Sequence, residues 1–267
     1  MVGKNLTHII DRLWNDRAWR RCDISTTLDS GIRVEIKSRS DWDVFVEVFV
    51  AGEYDEAIRL ALHHAQEADR QATIIDLGAN VGFFLLRCLD IAKRHGQHPI
   101  PKILAVEGSH RVFAQLERQC GYNEINRESV ALHHGLVGCR NGEAYIYESS
   151  YSCANTVVPS GGRRSRLTFR NAYASECRYL DLEAVIHQHD SIDLIKCDIE
   201  GSELTFLNNY PELVKRTRYL ALEIHPQVCS LEACLRRVEA LEFRRIKTVR
   251  NLPTAVHFLF ERLPQKP

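Results

Sequence analysis

The segment from residue 73 to 84, T-I-I-D-L-G-A-N-V-G-F-F, constrains the fold of this chain most strongly. Its apolar start has the length and branched side chains of a buried strand, and the residues from Val81 to Lys93 have helical spacing. Between them, G-A-N-V-G forms a short turn rich in glycine. A buried strand that passes through a tight turn into a helix predicts an α/β sheet with a ligand site at that turn.

The rest of the chain repeats this alternation of strands and helices. Further strand candidates lie at 103–106, 130–137, 193–198 and 218–224, with helical segments between most of them. Alternation at this spacing predicts a mainly parallel sheet with helices on both faces. The last two candidates, 243–249 and 255–261, are joined by N-L-P-T without a helix, which predicts an antiparallel final hairpin.

The domain organisation follows from the same pattern. A chain of 267 residues can form one large domain. We expect residues 1–70 to form an N-terminal extension that packs on the core, with an amphipathic helix built on Leu6, Ile9, Ile10 and Leu13, a strand at 32–37 and helices within 42–65. Residues 71–267 form the ligand-binding domain. A loop insertion is expected near 148–176, where S-G-G-R-R-S-R has loop composition.

Composition bears on partners and on location. Lys plus Arg and Asp plus Glu both total 35, and this balance argues against a nucleic-acid-binding surface. No stretch approaches the roughly 20 apolar residues that span a bilayer, and the N-terminus is not a signal peptide, so we expect a cytoplasmic protein without a membrane span. The nine cysteines include no C-x-x-C pair, which fits free thiols. The sequence gives no indication of the oligomeric state.

A metal site is not expected. His187 and His189 are separated by one residue, but no thiol or carboxylate set with zinc spacing accompanies them. We therefore interpret this pair as part of a surface loop.

The glycine-rich turn predicts a bound cofactor. A helix N-terminus offers unpaired N–H groups, and glycine lets a ligand approach the backbone closely. The spacing is D-x-G-x-N-x-G and not the G-x-G-x-x-G of dinucleotide sites. The cofactor-binding candidates in this turn are Asp76, Gly78, Ala79, Asn80 and Gly82.

A second acid follows at the end of the next strand, in I-L-A-V-E-G. The carboxylate of Glu107 can accept hydrogen bonds from both hydroxyls of a ribose, and we include the adjacent Gly108 as a cofactor contact. Both a dinucleotide and S-adenosylmethionine have such a ribose. A pyrophosphate would require the missing glycine pattern, whereas the cationic sulfonium of S-adenosylmethionine suits an acid-rich site. Tyr54, in G-E-Y-D, either binds the methionine end of the cofactor or is a core aromatic.

The candidates for catalysis lie after two later strands. Asp198 and Glu200 occur in D-L-I-K-C-D-I-E-G-S-E, and His225 ends L-A-L-E-I-H. With an ordinary pKa of about 6.5, His225 is the better proton acceptor near neutral pH, while Asp198 can orient the hydroxyl or the cofactor's amine. A second interpretation of His225 is the start of the H-P-Q loop. Lys196 lies inside a strand and requires a buried partner, for which Asp193 and Glu223 are candidates.

Several motifs in order resemble the FkbM family of S-adenosylmethionine-dependent methyltransferases. The motifs are G-E-Y (52–54), I-I-D-L-G-A-N-V-G (74–82), A-V-E (105–107), Y-L-D (179–181), D-L-I-K-C-D-I-E-G-S-E (193–203) and A-L-E-I-H (221–225). The resemblance covers about two-thirds of the chain. This sequence departs from the family in two places: Glu107-Gly108 stands where members commonly have E-P, and G-L-V-G (135–138) stands where they often have A-L-G-D.

The resemblance implies a class I methyltransferase fold, which is Rossmann-like with seven strands, and O-methylation of hydroxyls on sugars or polyketide-type natural products. The acceptor would be a small molecule or a glycan. By position, the resemblance implies that the turn with Asp76, Gly78, Ala79, Asn80 and Gly82 holds the cofactor and that Glu107 holds the ribose. It also implies that Asp198, Glu200 and Gly201 border the methyl-transfer site. Two other activities stay open, methylation of a nitrogen on a small molecule or protein and a nicotinamide-dependent oxidoreductase. The Arg163–Arg170 run is either a solvated loop or a lid for an anionic acceptor.

Overall fold

A computed structural model describes residues 24–148, 156–159, 173–186 and 190–264 of the chain. The predicted N-terminal amphipathic helix, the Arg163–Arg170 run and the His187–His189 pair lie outside the described residues. Among the described residues, no helix is both long and apolar enough to cross a membrane.

The elements alternate as the sequence predicts. The first part contains β1 (Ile24–Thr27), β2 (Arg33–Ile36), α1 (Arg39–Phe45), a π-helical turn (Val46–Val50) and α2 (Asp55–Glu67). The middle contains β3 (Thr73–Leu77), α3 (Phe83–Arg94), β4 (Lys102–Glu107), α4 (His110–Tyr122) and β5 (Val130–His134). Next come β6 (Glu143–Glu148), β7 (Thr156–Pro159), β8 (Tyr173–Arg178), α5 (Leu182–Ile186) and β9 (Ile192–Cys197). The last part contains α6 (Glu203–Asn209), α7 (Pro211–Lys215), β10 (Thr217–Ile224), α8 (Leu231–Ala240), β11 (Phe243–Asn251) and β12 (Val256–Arg262).

Within the described part of the chain, the main sheet has seven strands in the order β11–β12–β10–β9–β3–β4–β5. The four pairs from β10 to β5 are parallel, and β12 runs antiparallel to both β10 and β11. The predicted class I methyltransferase sheet and its antiparallel final hairpin are therefore confirmed. Strand order reverses between β3 and β9, and in open α/β sheets this is where ligands bind, at the carboxyl ends of the strands.

Both faces of the sheet are buried under helices. Every residue of β3 and β9 is buried, because successive side chains point to opposite faces of the sheet and helices cover both faces. One core contains Ile58 of α2 and Phe83 of α3, and the other contains Phe206 of α6. Val34 of β2 belongs to the first core, so residues 24–70 pack directly on the sheet. The division of the chain at residue 70 stays a prediction.

A small antiparallel sheet follows the fifth strand of the chain. It has the order β7–β6–β8, with β6 paired to both neighbours. β7 and the first part of β8 lie within 148–176, the range expected to be loop, so the described part of the insertion contains strands. The sequence of β7, T-V-V-P, is too short to show alternation, and its partner strand lies outside the segment itself.

Candidate functional site

A cavity of about 330 Å³ opens at the carboxyl ends of the central strands. Residues that follow five parallel strands contribute to its wall, namely Gly78–Asn80, Glu107–Ser109, Gly135–Val137, Asp198–Glu200 and His225. The cavity therefore lies where the topology predicts a ligand site. Of the site residues predicted from the sequence, Tyr54, Gly78, Ala79, Asn80, Glu107, Gly108, Asp198, Glu200 and His225 line the cavity, whereas Asp76 and Gly82 are not among its lining residues.

The turn after β3 is fixed by backbone hydrogen bonds to the end of β4. The N–H groups of Gly78 and Ala79 both donate to the carbonyl of Val106, at 3.0 and 2.9 Å. Asn80 has a left-handed φ of +50°, and its N–H donates to Oε2 of Glu107 at 2.9 Å. The turn and the predicted ribose-binding acid thus form one hydrogen-bonded unit.

Gly78 is required by the approach of another strand. Its φ is +77°, and a Cβ built on it would lie 1.8 Å from the carbonyl oxygen of Asp198. The backbone after β9 therefore passes directly against the backbone after β3. The sequence predicted a glycine that admits a ligand, and the structure shows that protein backbone already occupies the space on its Cβ side.

Gly82 faces the core and not the cavity. It precedes α3 with a φ of +91°, and a Cβ built on it would lie 2.5 Å from Cδ1 of Leu116 in α4. A side chain at position 82 would therefore meet Leu116, and the role of Gly82 as a cofactor contact stays a prediction. Gly82 allows α3 and α4 to pack closely, and it shapes the turn only indirectly.

Asp76 lies within β3 and is wholly buried, whereas the sequence indicated that it ends the strand and enters the turn. Its register partner on β9 is Lys196, whose Nζ lies 3.2 Å from Oδ1 of Asp76. The same Nζ donates to the carbonyl of Gly78 at 2.5 Å and lies 3.9 Å from Oδ2 of Asp198. Asp76 therefore acts on the turn from beneath it, through the lysine.

Asp76 and Lys196 each favour the charged form of the other. Burial raises the pKa of Asp76, and the attraction of Lys196 partly opposes that rise. Burial lowers the pKa of Lys196, but the attraction of Asp76 and Asp198 outweighs burial and holds that pKa above its usual range. A lysine that stays charged under the turn can hold the Gly78 carbonyl in place.

The two partners suggested for Lys196 are both engaged elsewhere. Asp193 lies near the amino end of β9 and accepts hydrogen bonds from Nη1 and Nη2 of Arg70 at 2.6 and 2.5 Å. Glu223 accepts one from Nη2 of Arg250 at 2.6 Å. Asp193 lies on the same strand as Lys196 and Glu223 lies on the neighbouring β10, but the partner of Lys196 is Asp76 on β3, the neighbour on the other side.

Glu107 is held by two backbone groups. Its Oε1 accepts from the N–H of Ser109 at 2.8 Å, and its Oε2 accepts from the N–H of Asn80. Burial raises its pKa, and these two hydrogen bonds oppose the rise. An ionised carboxylate offers about four lone-pair sites, so each oxygen can still accept one bond from a ligand.

His225 directly follows β10 and is surrounded by carboxylates. We call His225 and the four acids around it the His225 cluster. Its Nδ1 lies 3.1 Å from Glu203, and its Nε2 lies 3.4 Å from Glu200, 3.8 Å from Glu223 and 3.9 Å from Asp198. Burial lowers the pKa of His225, but the hydrogen bond to Glu203 and the negative charges of Asp198 and Glu200 outweigh burial and raise the pKa to about 9. The ring is therefore an imidazolium near neutral pH.

Two acids of the cluster have raised pKa values as well. Burial, followed by repulsion from Asp198, raises the pKa of Glu200 to about 8. The same two causes raise the pKa of Glu223 to about 7, against the attraction of Arg250. Because these groups lie so close together, their protons are bound and released by the cluster as a whole.

Glu203 contacts both His225 and the turn before α6. It is the first residue of α6, it is wholly buried, and its Oε1 also accepts from the N–H of Gly201 at 2.9 Å. In the sequence, Glu203 is only the last acid of the motif D-L-I-K-C-D-I-E-G-S-E. The structure adds a hydrogen bond to His225 that fixes the orientation of the imidazole.

The same cluster offers a possible set of metal ligands. Asp198, Glu200 and His225 each present one ligand atom, and these atoms lie within 4.8 Å of one another. The sequence did not indicate this set, because two of its members come from one turn and the third from the next strand of the sheet.

Tyr54 fits both of its sequence interpretations. Its ring is buried, and the centroid of the ring lies 5.2 Å from that of Phe84 and 4.7 Å from that of His257. Tyr54 also lines the cavity. An aromatic core residue thus closes one side of the cavity.

Several polar residues of the cavity wall were not predicted from the sequence. Asp43, Glu47, Arg250 and Thr254 all line the cavity. The spacing of Asp43 and Glu47 was a usable signal, since two acids four residues apart share one face of a helical stretch. Arg250 carried no such signal in a strand with several basic residues.

One family of known proteins matches a large part of this chain. The model of the methyltransferase FkbM domain matches residues 76–249. No curated protein matches the sequence significantly. Among solved structures, the methyltransferase FkbM from Methylobacillus flagellatus KT is 15% identical with a TM-score of 0.46, covering 70% of this chain and 43% of that one.

Two further solved structures are similar along most of their length. Magnesium protoporphyrin IX methyltransferase from Synechocystis PCC 6803 with bound S-adenosylmethionine is 9% identical, with a TM-score of 0.45 and coverage of 96% of both chains. The N-terminal domain of human METTL16 in complex with S-adenosylhomocysteine is 11% identical, with a TM-score of 0.46 and coverage of 90% of this chain and 89% of that one. The present chain thus spans less than half of the FkbM structure from M. flagellatus and most of the other two.

Proposed function

The chain belongs to the FkbM family of methyltransferases, and from that premise we propose that it transfers a methyl group from S-adenosylmethionine to a hydroxyl of a sugar or polyketide-type natural product. The observation that carries this proposal is Glu107, a buried carboxylate on the cavity wall whose oxygens are each fixed by one backbone N–H. Their remaining lone pairs suit the two hydroxyls of a ribose.

The surroundings of Glu107 fit the rest of this cofactor. Leu136, Val137 and Ile146 give the wall beside Gly108 an apolar surface that suits an adenine ring. Gly78 and Ala79 present backbone on the other side, where the methionine part of the cofactor would lie. The acids after β9 suit its cationic sulfonium.

Transfer to a hydroxyl requires an acceptor for one proton. When bound, S-adenosylmethionine supplies a methyl group on a sulfonium, so that a C–O bond forms as the C–S bond breaks and sulfur keeps the electron pair. The hydroxyl proton leaves to a base, and we assign it to Glu200, which lines the cavity beside His225. Its raised pKa makes its carboxylate a stronger base than an ordinary one.

His225 has a different role in this proposal. The sequence favoured it as the base because of its ordinary pKa, but a pKa of about 9 leaves the ring protonated at neutral pH. As an imidazolium 3.4 Å from Oε2 of Glu200, it stabilises the ionised carboxylate. Turnover should therefore rise with pH through about 8 as Glu200 loses its proton, and Glu200→Gln should abolish this rise.

The proposal is tested by calorimetry with S-adenosylmethionine, S-adenosylhomocysteine and NAD. We expect both sulfur compounds to bind and NAD not to bind. Glu107→Gln should weaken S-adenosylhomocysteine binding at least about tenfold, since a hydrogen bond to a charged group contributes about 1.5–3 kcal/mol. Glu232→Gln, on the exposed face of α8, is the matched control and should bind normally. Binding of NAD in place of S-adenosylhomocysteine would refute the proposal.

A further inference from the structure

The cavity divides into two halves with different wall chemistry. If Glu107 holds the ribose, as in the proposed function, the cofactor occupies the half over β3, β4 and β5. The half near α1, β10 and β11 is then left for the acceptor. Its wall includes Asp43, Glu47, Glu200, Glu223 and Arg250.

The cation of this half is already paired. Arg250 binds Glu47 through Nη1 and Glu223 through Nη2, and its Nη1 also lies 3.5 Å from Glu53. These ion pairs use both terminal nitrogens of the guanidinium. Attraction from the three carboxylates therefore leaves Arg250 poorly suited to bind an anionic ligand.

The other two cations of the wall are paired as well. His225 faces the carboxylates of its cluster, and Lys196 faces Asp76 and Asp198. Among the described residues that line the cavity, six carboxylates stand against three cationic groups. Each of these three cations therefore already has a carboxylate beside it.

One acid of the acceptor half has no cation beside it. Asp43 is exposed at the rim, four residues before Glu47, and it forms no salt bridge with the described residues. Because Asp43 and Glu47 lie on the same face of consecutive helical turns, both can contact a single ligand group.

We propose that the acceptor carries an ammonium group, as an amino sugar does, and that Asp43 and Glu47 bind this group while a hydroxyl of the same molecule faces Glu200. Acceptors that bear phosphate or carboxylate are rejected, because every wall cation among the described residues is paired and Asp43 stands at the rim without a cation. This inference rests on the proposed function and specifies the class of its substrate.

The experiment uses the full chain saturated with S-adenosylhomocysteine. Calorimetry compares glucosamine with glucose and with glucose 6-phosphate, which share one ring and differ in charge. We expect glucosamine to bind at least about tenfold more tightly than glucose, from one hydrogen-bonded charge pair, and glucose 6-phosphate not to bind. Added salt should weaken glucosamine binding more than glucose binding.

Asp43→Asn tests the proposed contact directly. It should reduce the preference for glucosamine over glucose and leave S-adenosylhomocysteine affinity unchanged, whereas Glu232→Gln should change neither. The inference is overturned if glucosamine does not bind, if it binds no better than glucose, or if glucose 6-phosphate binds as well. If the wild-type protein does not bind S-adenosylhomocysteine, the proposed function itself is overturned.

Discussion

Glu203→Gln should lower the pKa of His225 without altering the fold. The amide oxygen of glutamine can still accept hydrogen bonds from Nδ1 of His225 and from the N–H of Gly201, so the ring keeps its orientation. Only the negative charge disappears. Since Glu203 is wholly buried and His225 is mostly buried, solvent does not screen this charge strongly.

The size of the effect follows from the geometry. A hydrogen bond to a charged group contributes about 1.5–3 kcal/mol, and a change of one in pKa corresponds to about 1.4 kcal/mol. Loss of the anion destabilises the imidazolium, so the pKa of His225 should fall from about 9 to between about 7 and 8. The variant ring would then lose its proton near neutral pH.

The measurement is an NMR titration of the histidine ring protons in the protein without ligand. The signal of His225 is identified by its disappearance in His225→Gln, and Glu232→Gln serves as a control with a matched loss of charge at an exposed site. An unchanged pKa in Glu203→Gln would refute the reasoning. A wild-type pKa near that of a free histidine would refute it as well.

Three further outcomes are expected. Gly78→Ala should lower the free energy of unfolding in urea by more than the roughly 1–3 kcal/mol of left-handed strain, because its Cβ meets the Asp198 carbonyl. Gly31→Ala, with a φ of +83° and nothing within 4 Å, should show the strain alone. Equal losses of stability in the two variants would contradict this account. Asp193→Asn should destabilise the protein by about 1–3 kcal/mol, because it weakens the hydrogen bonds from the partly exposed Arg70, yet retain S-adenosylhomocysteine affinity; a variant as stable as the wild type would count against it. EDTA should leave S-adenosylhomocysteine affinity unchanged, because the imidazolium already balances part of the His225 cluster; a loss of affinity reversed by Mg²⁺ would instead make the cluster a metal site.

The sheet could be predicted from the sequence because its signals are local. The run T-I-I-D-L predicts a buried strand, and the absence of a helix between β11 and β12 predicts the hairpin. The small sheet of β6, β7 and β8 could not be predicted in this way. β7 has only four residues, and β6 and β8, with six residues each, pair with each other across a long stretch of sequence.

The candidate site was predicted where position alone determines it. Glu107, Asp198 and His225 follow parallel strands, and the carboxyl ends of such strands meet at one edge of the sheet. The pairing of Lys196 was not predicted, because it depends on the register between β3 and β9. The close packing of Gly82 was not predicted for a similar reason, since only the position of α4 shows what lies beside it.

The contact between Gly78 and the Asp198 carbonyl has a consequence for how such a protein can diversify. Main chain, and not side chains, sets the spacing between the turn after β3 and the turn after β9. If Asp43 contacts the acceptor as proposed, replacement of such rim residues would change which molecule is accepted without moving these two turns relative to each other. New substrates can be acquired by exchanging a few exposed side chains, while the alignment of donor and acceptor is inherited unchanged with the backbone.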